Sequence, residues 1–208
     1  TTAVARGFSV CQTFLGAPKS HRVKDPARQL KPMFKQVMWT LFDLIIEFEN
    51  AWKNTTQSLP TPIYGFGLGE NEKPPVPGVD TDHLYDTFVT GYDKYKWEWE
   101  TVISPQNLEA IRKAKEEPKE QVYYPSRIWC RTLYDFVVAY RNGTLPQMRL
   151  IDSMVPLYLS RQLSFFNKTR NADTKECEEY IENINRVFER EKSYFLTRWA
   201  ELSNKGSC

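Results

Sequence analysis

Apolar positions follow two rhythms along the chain. Residues 7–15 read Gly-Phe-Ser-Val-Cys-Gln-Thr-Phe-Leu. Phe8, Val10 and Phe14 share one parity and Gln12 interrupts it, which predicts a short strand after a turn at Gly7. Thr1 to Arg6 reads as the end of a helix before it. No second strand is predicted. A lone strand is not stable by itself, so its sheet partners are expected upstream, in sequence outside this chain.

Beyond a loop rich in Gly and Pro, the period becomes helical. Pro32 suits the first turn of a helix running to about Asn54, because its missing N–H costs little there. Leu30, Phe34, Val37, Leu41, Leu44, Phe48 and Trp52 are spaced to make its apolar face. Residues 55–81 hold nine prolines and glycines and read as a long loop, tacked to the body by Tyr64 and Phe66. A helix from about Asp82 to Val102 follows, capped by Asp82 or Thr81. Ser104-Pro105 opens a short helix through Lys115. Tyr124-Pro125-Ser126 opens another, which Gly143 closes. Pro146 starts one that runs to about Lys168, and Pro156 is expected to kink or divide it. The last helix spans roughly Thr174 to Asn204, with Cys177, Ile181, Ile184, Phe188, Phe195, Trp199 and Leu202 as its buried stripe. The pattern predicts one strand, one basic loop and about six helices.

Composition adds less than pattern. The 208 residues are 41% hydrophobic and 26% charged, an ordinary globular balance. Aromatics at 14% predict a core dense in rings. A net charge of +2 does not argue for nucleic acid, but Lys19 to Lys35 alone carries +5. That stretch can attract anions locally. Cys11, Cys130, Cys177 and Cys208 form no C-x-x-C pair and read as free thiols of a reducing compartment. Asn54, Asn142 and Asn167 begin N-x-S/T triplets, which matter only in a secretory pathway. The longest apolar cluster, around Trp39 to Ile46, is broken by Thr40 and Asp43 and falls short of the ~18–20 residues a membrane span needs. The expectation is a cytoplasmic protein with no transmembrane segment and no nucleic-acid partner.

The basic loop carries the candidate chemistry. His21 lies between Lys19 and Arg22, with Lys24 and Arg28 close behind. Neutral imidazole ligates divalent ions, and Lys and Arg pair with phosphate oxygens. By residue types alone the loop reads either as a solvated basic segment with an incidental His or as a cradle for a metal-bound diphosphate. His83, at a helix start, reads as a surface or capping residue.

The order Leu15-Gly16, His21-Arg22, Leu30-Lys31-Pro32-Met33, then an apolar helix, resembles the end of the catalytic domain in mannosylglycerate synthase, glucosyl-3-phosphoglycerate synthase and related family 2-like transferases. The likeness covers about residues 9–42. It implies the helical C-terminal domain of a GT-A glycosyltransferase. Residues 1–16 would hold the last strand of the α/β nucleotide-binding domain, 17–31 the metal and diphosphate loop, and 32–208 the helical domain. It further implies His21 as ligand to Mg²⁺ or Mn²⁺, and Arg22, Lys19 and Lys24 on the diphosphate of GDP-mannose or UDP-glucose. The acceptor would be a small molecule such as glycerate or phosphoglycerate. The partner would be the N-terminal GT-A domain, in the same or a separate chain, and the aromatic helical surface would form a homodimer face. The family's Asp-x-Asp triplet is matched in letters only by Asp80-Thr81-Asp82, which reads as a turn and a cap. No catalytic carboxylate is placed by the sequence, although Glu47, Glu49 and Asp152 are available acids.

Two further clusters have plainer readings. Tyr92, Tyr95 and Trp99 share a helix face and read as core. Arg149, Arg161, Lys168 and Arg170 read as a solvated face with some capacity for anions. The rival functional class is a stand-alone helical module that binds an anion or a partner protein. Such a module would pair or cover the strand at 7–15 within its own residues.

Overall fold

The computed structural model describes residues 1–13, 26–64 and 78–203. These form a mainly helical domain with nine α-helices among the described residues. They are α1 (Thr2–Ala5), α2 (Pro26–Glu47), α3 (Glu49–Lys53), α4 (Thr81–Val102), α5 (Pro105–Glu116), α6 (Ser126–Arg141), α7 (Gln147–Thr169), α8 (Thr174–Arg190) and α9 (Lys192–Ser203). A 3₁₀ turn lies at Lys119–Gln121.

Helices α4 and α7 make the largest interface and form the centre of the domain. Leu84, Phe88, Tyr92, Tyr95, Trp99 and Val102 give α4 its buried face, at the spacing the sequence predicts. The Trp99 indole donates to the Ser153 carbonyl of α7 at 3.0 Å, so the ring is buried without an orphaned N–H. Glu98, also on α4 and buried, pairs with Arg149 at the start of α7, whose guanidinium lies over Tyr95. Helix α6 packs beside this pair, and α2, α5, α8 and α9 surround it. A second cluster of rings closes the far side: Trp52 stacks on Phe195, and Phe195 stacks on Tyr134 with centroids 4.5 Å apart.

Helix starts fall close to their predicted places. The N-cap of α4 is Asp80 rather than Thr81 or Asp82, and it accepts the His83 N–H at 3.0 Å. Pro105 sits in the first turn of α5. Helix α6 ends at Arg141, and Gly143 follows at φ +60°, a conformation glycine adopts without penalty. Helix α8 opens on a capping box in which Asp173 and Glu176 satisfy each other's backbone N–H.

Five expectations are corrected. The strand reduces to Gln12–Thr13 (β1) within the described residues, and it does have a partner: β2 (Ile63–Tyr64) lies parallel to it, Gln12 opposite Ile63 and Thr13 opposite Tyr64. Tyr64 is largely exposed and does not tack its loop to the body, while Phe66 lies outside the described residues. The helix placed at 32–54 begins at Pro26 instead, which gives the last residues of the 17–31 loop to α2, and it breaks at Phe48. Its buried face is Phe34, Met38 and Phe42, whereas Val37 is 56% exposed. The final helix is two helices meeting at Glu191, and Ile181 of the supposed buried stripe is exposed. Pro156 does not divide α7, which runs unbroken across it.

Two buried acids of high ordinary pKa and one half-buried one give the fold an alkaline limit. Burial pushes the Cys130 thiol and the Tyr140 and Tyr194 hydroxyls up to about 12, from 9.0 and 10.0. A raised folded-state pKa means the stabilisation is fully present below the unfolded value and is lost as pH rises through the folded value. The urea midpoint is therefore expected to hold near neutrality and to fall steadily between about pH 9 and about pH 12. A midpoint at about pH 11 equal to that at about pH 8 would contradict this burial.

Candidate functional site

His21, Lys19, Arg22 and Lys24 lie outside the described residues, as does the rest of 14–25. What is described is the helix that leaves this loop. Helix α2 starts at Pro26, and its spacing of four places Lys31, Lys35 and Trp39 along one strip, with Gln36 and Thr40 on the adjoining strip. Their side chains line an open groove of about 750 Å³, whose opposite wall carries Met148 from the first turn of α7.

Two cations, Lys31 and Lys35, line the groove, and one of them is paired with an acid behind it. The Lys35 ammonium pairs with Asp152 of α7 at 2.8 Å, both side chains about one quarter exposed. No acceptor geometry accompanies that contact, so it is a charge pair rather than an aligned hydrogen bond. Lys31 is exposed and has no ion pair among the described residues. Trp39 is 36% exposed, and Met148 is half exposed. The arrangement offers a flat apolar ring, two positive charges, an amide and a hydroxyl in one concavity. Such a mixture can hold a small anionic ligand that also has a face to lay on the indole.

The other candidates have structural work. Asp82 pairs with Lys119 at 2.5 Å, and Asp80 is the cap already described, so this Asp-x-Asp triplet is a helix start. His83 is exposed beside it. Glu47 pairs with Arg6 at 3.2 Å and Glu49 with Lys53 at 2.7 Å. The Lys53 bond, helped by the Trp199 indole, holds the Glu49 carboxyl below its ordinary range. Arg161 is not part of a solvated face: it is buried, donating to the Tyr124 carbonyl at 3.0 Å and to Ser126 Oγ at 2.9 Å. Arg149 is engaged by Glu98, while Lys168 and Arg170 are exposed, as the solvated face read from the sequence requires. Asn167 gives its amide to the Lys119 and Val122 carbonyls and is likewise structural.

Among the described residues no group of three or more His, Cys, Asp or Glu side chains could hold a metal ion. The cysteines described, Cys11, Cys130 and Cys177, are unbridged, and the buried Cys130 thiol is raised to about 12 and so kept from being a nucleophile. No described helix is long and apolar enough to cross a membrane. The segment entering the predicted loop is exposed throughout residues 7–13, Phe8 at 69%.

Sequence reasoning counted Lys31 and Lys35 only as charge and placed Trp39 in an apolar cluster. Their spacing of four was the signal that joins them. Comparisons of the chain with protein families, with curated proteins and with solved structures find no match.

Proposed function

We propose that this chain is the helical C-terminal part of a metal-dependent glycosyltransferase of the GT-A type. It serves transfer of a sugar from GDP-mannose or UDP-glucose to a small acceptor such as glycerate or phosphoglycerate. In this reading His21 is one ligand of Mg²⁺ or Mn²⁺, and Arg22, Lys19 and Lys24 face the donor diphosphate. The enzyme is cytoplasmic and homodimeric, and this part is inactive without the donor-binding domain.

The observation that supports the reading most is the continuity of the basic loop with the groove on α2. The residues that follow the His21 segment in sequence form a helix with a strip that carries Lys31 and Lys35 beside an accessible indole. Along the sequence, positive charge thus continues from the His21 segment to the two lysines of the groove, which suits anionic substrates. The exposed Phe8 and Val10 add a surface that a neighbouring sheet would cover.

The test is transfer to glycerate or phosphoglycerate by the full-length protein with Mn²⁺, wild type against His21→Ala. The variant is expected to lose activity by about 100-fold at saturating metal while keeping its far-UV spectrum. Equal turnover in the two proteins removes His21 from the metal site and the reading with it. The pairing of β1 with β2 inside the chain favours the second reading, a stand-alone anion- or protein-binding module. That reading predicts a soluble monomer of this chain with no metal-dependent affinity for GDP or UDP.

A further inference from the structure

We infer that the groove between α2 and the start of α7 is a binding site for an anionic monosaccharide, a sugar bearing a phosphate or a carboxylate. Each feature of the groove excludes a simpler occupant. A bare anion would use Lys31 and Lys35 and leave the Trp39 ring and Met148 uncovered. A neutral sugar would stack on Trp39 and leave the Lys31 charge without a partner. A long polyanion needs a run of cations, whereas here there are two and one already shares Asp152.

A sugar with one acidic group uses the whole surface. Its apolar ring face lies on the Trp39 indole, as polar rings with C–H faces do on aromatic planes. Its hydroxyls meet the Gln36 amide and the Thr40 hydroxyl, one turn apart on the adjoining strip. Its phosphate or carboxylate meets the ammonium of Lys31, with that of Lys35 behind it. Asp152 has a specific consequence: it holds the ammonium of the groove-lining Lys35 at 2.8 Å and lowers the net charge of the site to about that of one lysine. The site is therefore matched to a small charge rather than to a nucleoside triphosphate. A groove of about 750 Å³ has room for a monosaccharide with water or a second ring beside it.

This assignment does not depend on the transferase reading, because it is measured as binding with no donor, metal or turnover. The 208-residue chain is titrated by calorimetry with the 6-phosphates of glucose, mannose and galactose, with glucuronate, with the three neutral sugars and with inorganic phosphate. Saturable binding of at least one anionic sugar is expected, with Kd of about 1 mM. The matching neutral sugar and inorganic phosphate are each expected to bind at least about tenfold more weakly. Lys31→Ala is expected to bring the anionic sugar down to the level of the neutral one and to leave the neutral one unchanged. Trp39→Ala is expected to weaken both by about tenfold, with the thermal midpoint kept within a few degrees because the ring is partly exposed. Preference for the phosphates or for glucuronate names the acidic group. Three results overturn the assignment: no saturable binding of any anionic sugar up to about 50 mM, inorganic phosphate binding as tightly as the sugar phosphates, or unchanged affinity in both variants.

Discussion

Asp135→Ala is expected to destabilise the protein by about 4 kcal/mol. Asp135 projects from α6 into the space between α5 and α9, and its carboxylate is completely buried. One oxygen accepts from the Tyr194 hydroxyl at 2.7 Å and from Arg198 Nε at 3.0 Å. The other accepts from the Ser104 backbone N–H at 3.1 Å and from the Asn107 amide at 3.3 Å. A single side chain thus satisfies the N-cap residue of α5, a buried amide of α5 and two side chains of α9. Truncation leaves the four donors facing a cavity, the Asn107 amide keeping the Tyr194 hydroxyl at 3.3 Å, and leaves the Arg198 guanidinium, about one quarter exposed, with the 3.5 Å contact to Glu201 as its ion pair among the described residues. Removing one partner of a buried pair costs far more than the pair contributes relative to an apolar replacement. Asp135→Asn keeps the shape and one acceptor oxygen, so its loss is expected to be about half as large. Urea unfolding followed by circular dichroism measures both. A midpoint for Asp135→Ala within about 1 kcal/mol of wild type would mean that α9 is not held through this carboxylate.

Much of this fold was legible because local signals and burial agreed. Asp80 marks a helix start through capping and Pro105 and Pro125 through fixed φ, and those effects act within one turn. The face of α4 was legible because few apolar residues compete on it. Helix α2 failed for the opposite reason. Met33, Val37, Met38, Trp39, Leu41, Phe42, Leu44, Ile45 and Ile46 spread over most of its circumference. Several stripes fit such a helix, and the choice of Phe34, Met38 and Phe42 is made by α6 and α7, which the sequence of α2 does not contain. The breaks at Phe48 and Glu191 carry no Gly or Pro. They are stabilised by distant groups: the Trp52 indole donates to the Ile45 carbonyl at 2.7 Å, and the Glu191 carboxylate takes Arg127 and Arg131 at 2.7 and 2.6 Å. Strands of two residues, paired across some fifty positions, have no periodicity to read.

The candidate site divides in the same way. Charge at Lys31 and Lys35 is visible in sequence, but the concavity that gives it meaning is not, because it needs Met148 and Asp152 from the start of α7. The opposite error attached to Arg161. In sequence it is one more cation on α7, while in space it is the buried donor that ties the Tyr124 carbonyl and Ser126 to that helix. Cations therefore had to be sorted by their acceptors before any could be assigned to a ligand, and that sorting leaves Lys31 as the cation of the groove without an ion pair among the described residues.

Gly91→Ala is expected to cost about 3 kcal/mol or more, although alanine is the better helix former by about 1 kcal/mol. Gly91 lies on the buried face of α4, where α7 crosses it at Pro156. A Cβ at position 91 would stand 2.3 Å from both Cβ and Cγ of Pro156. Neither atom can turn away, because both belong to a ring fixed to the helix backbone, so the two helices must separate. Separation loosens the central interface of the domain, including the Trp99 bond to the Ser153 carbonyl. The same contact explains why proline is tolerated inside α7: the ring occupies the notch that the missing side chain leaves in α4, and burial there offsets a lost helix hydrogen bond. The two positions are therefore coupled. Pro156→Gly moves the notch from one helix to the other, so the double variant Gly91→Ala with Pro156→Gly is expected to be more stable than the sum of the single changes by at least about 1 kcal/mol. Additive losses in that cycle, or a Gly91→Ala protein as stable as wild type, would show that the helices do not meet at this pair.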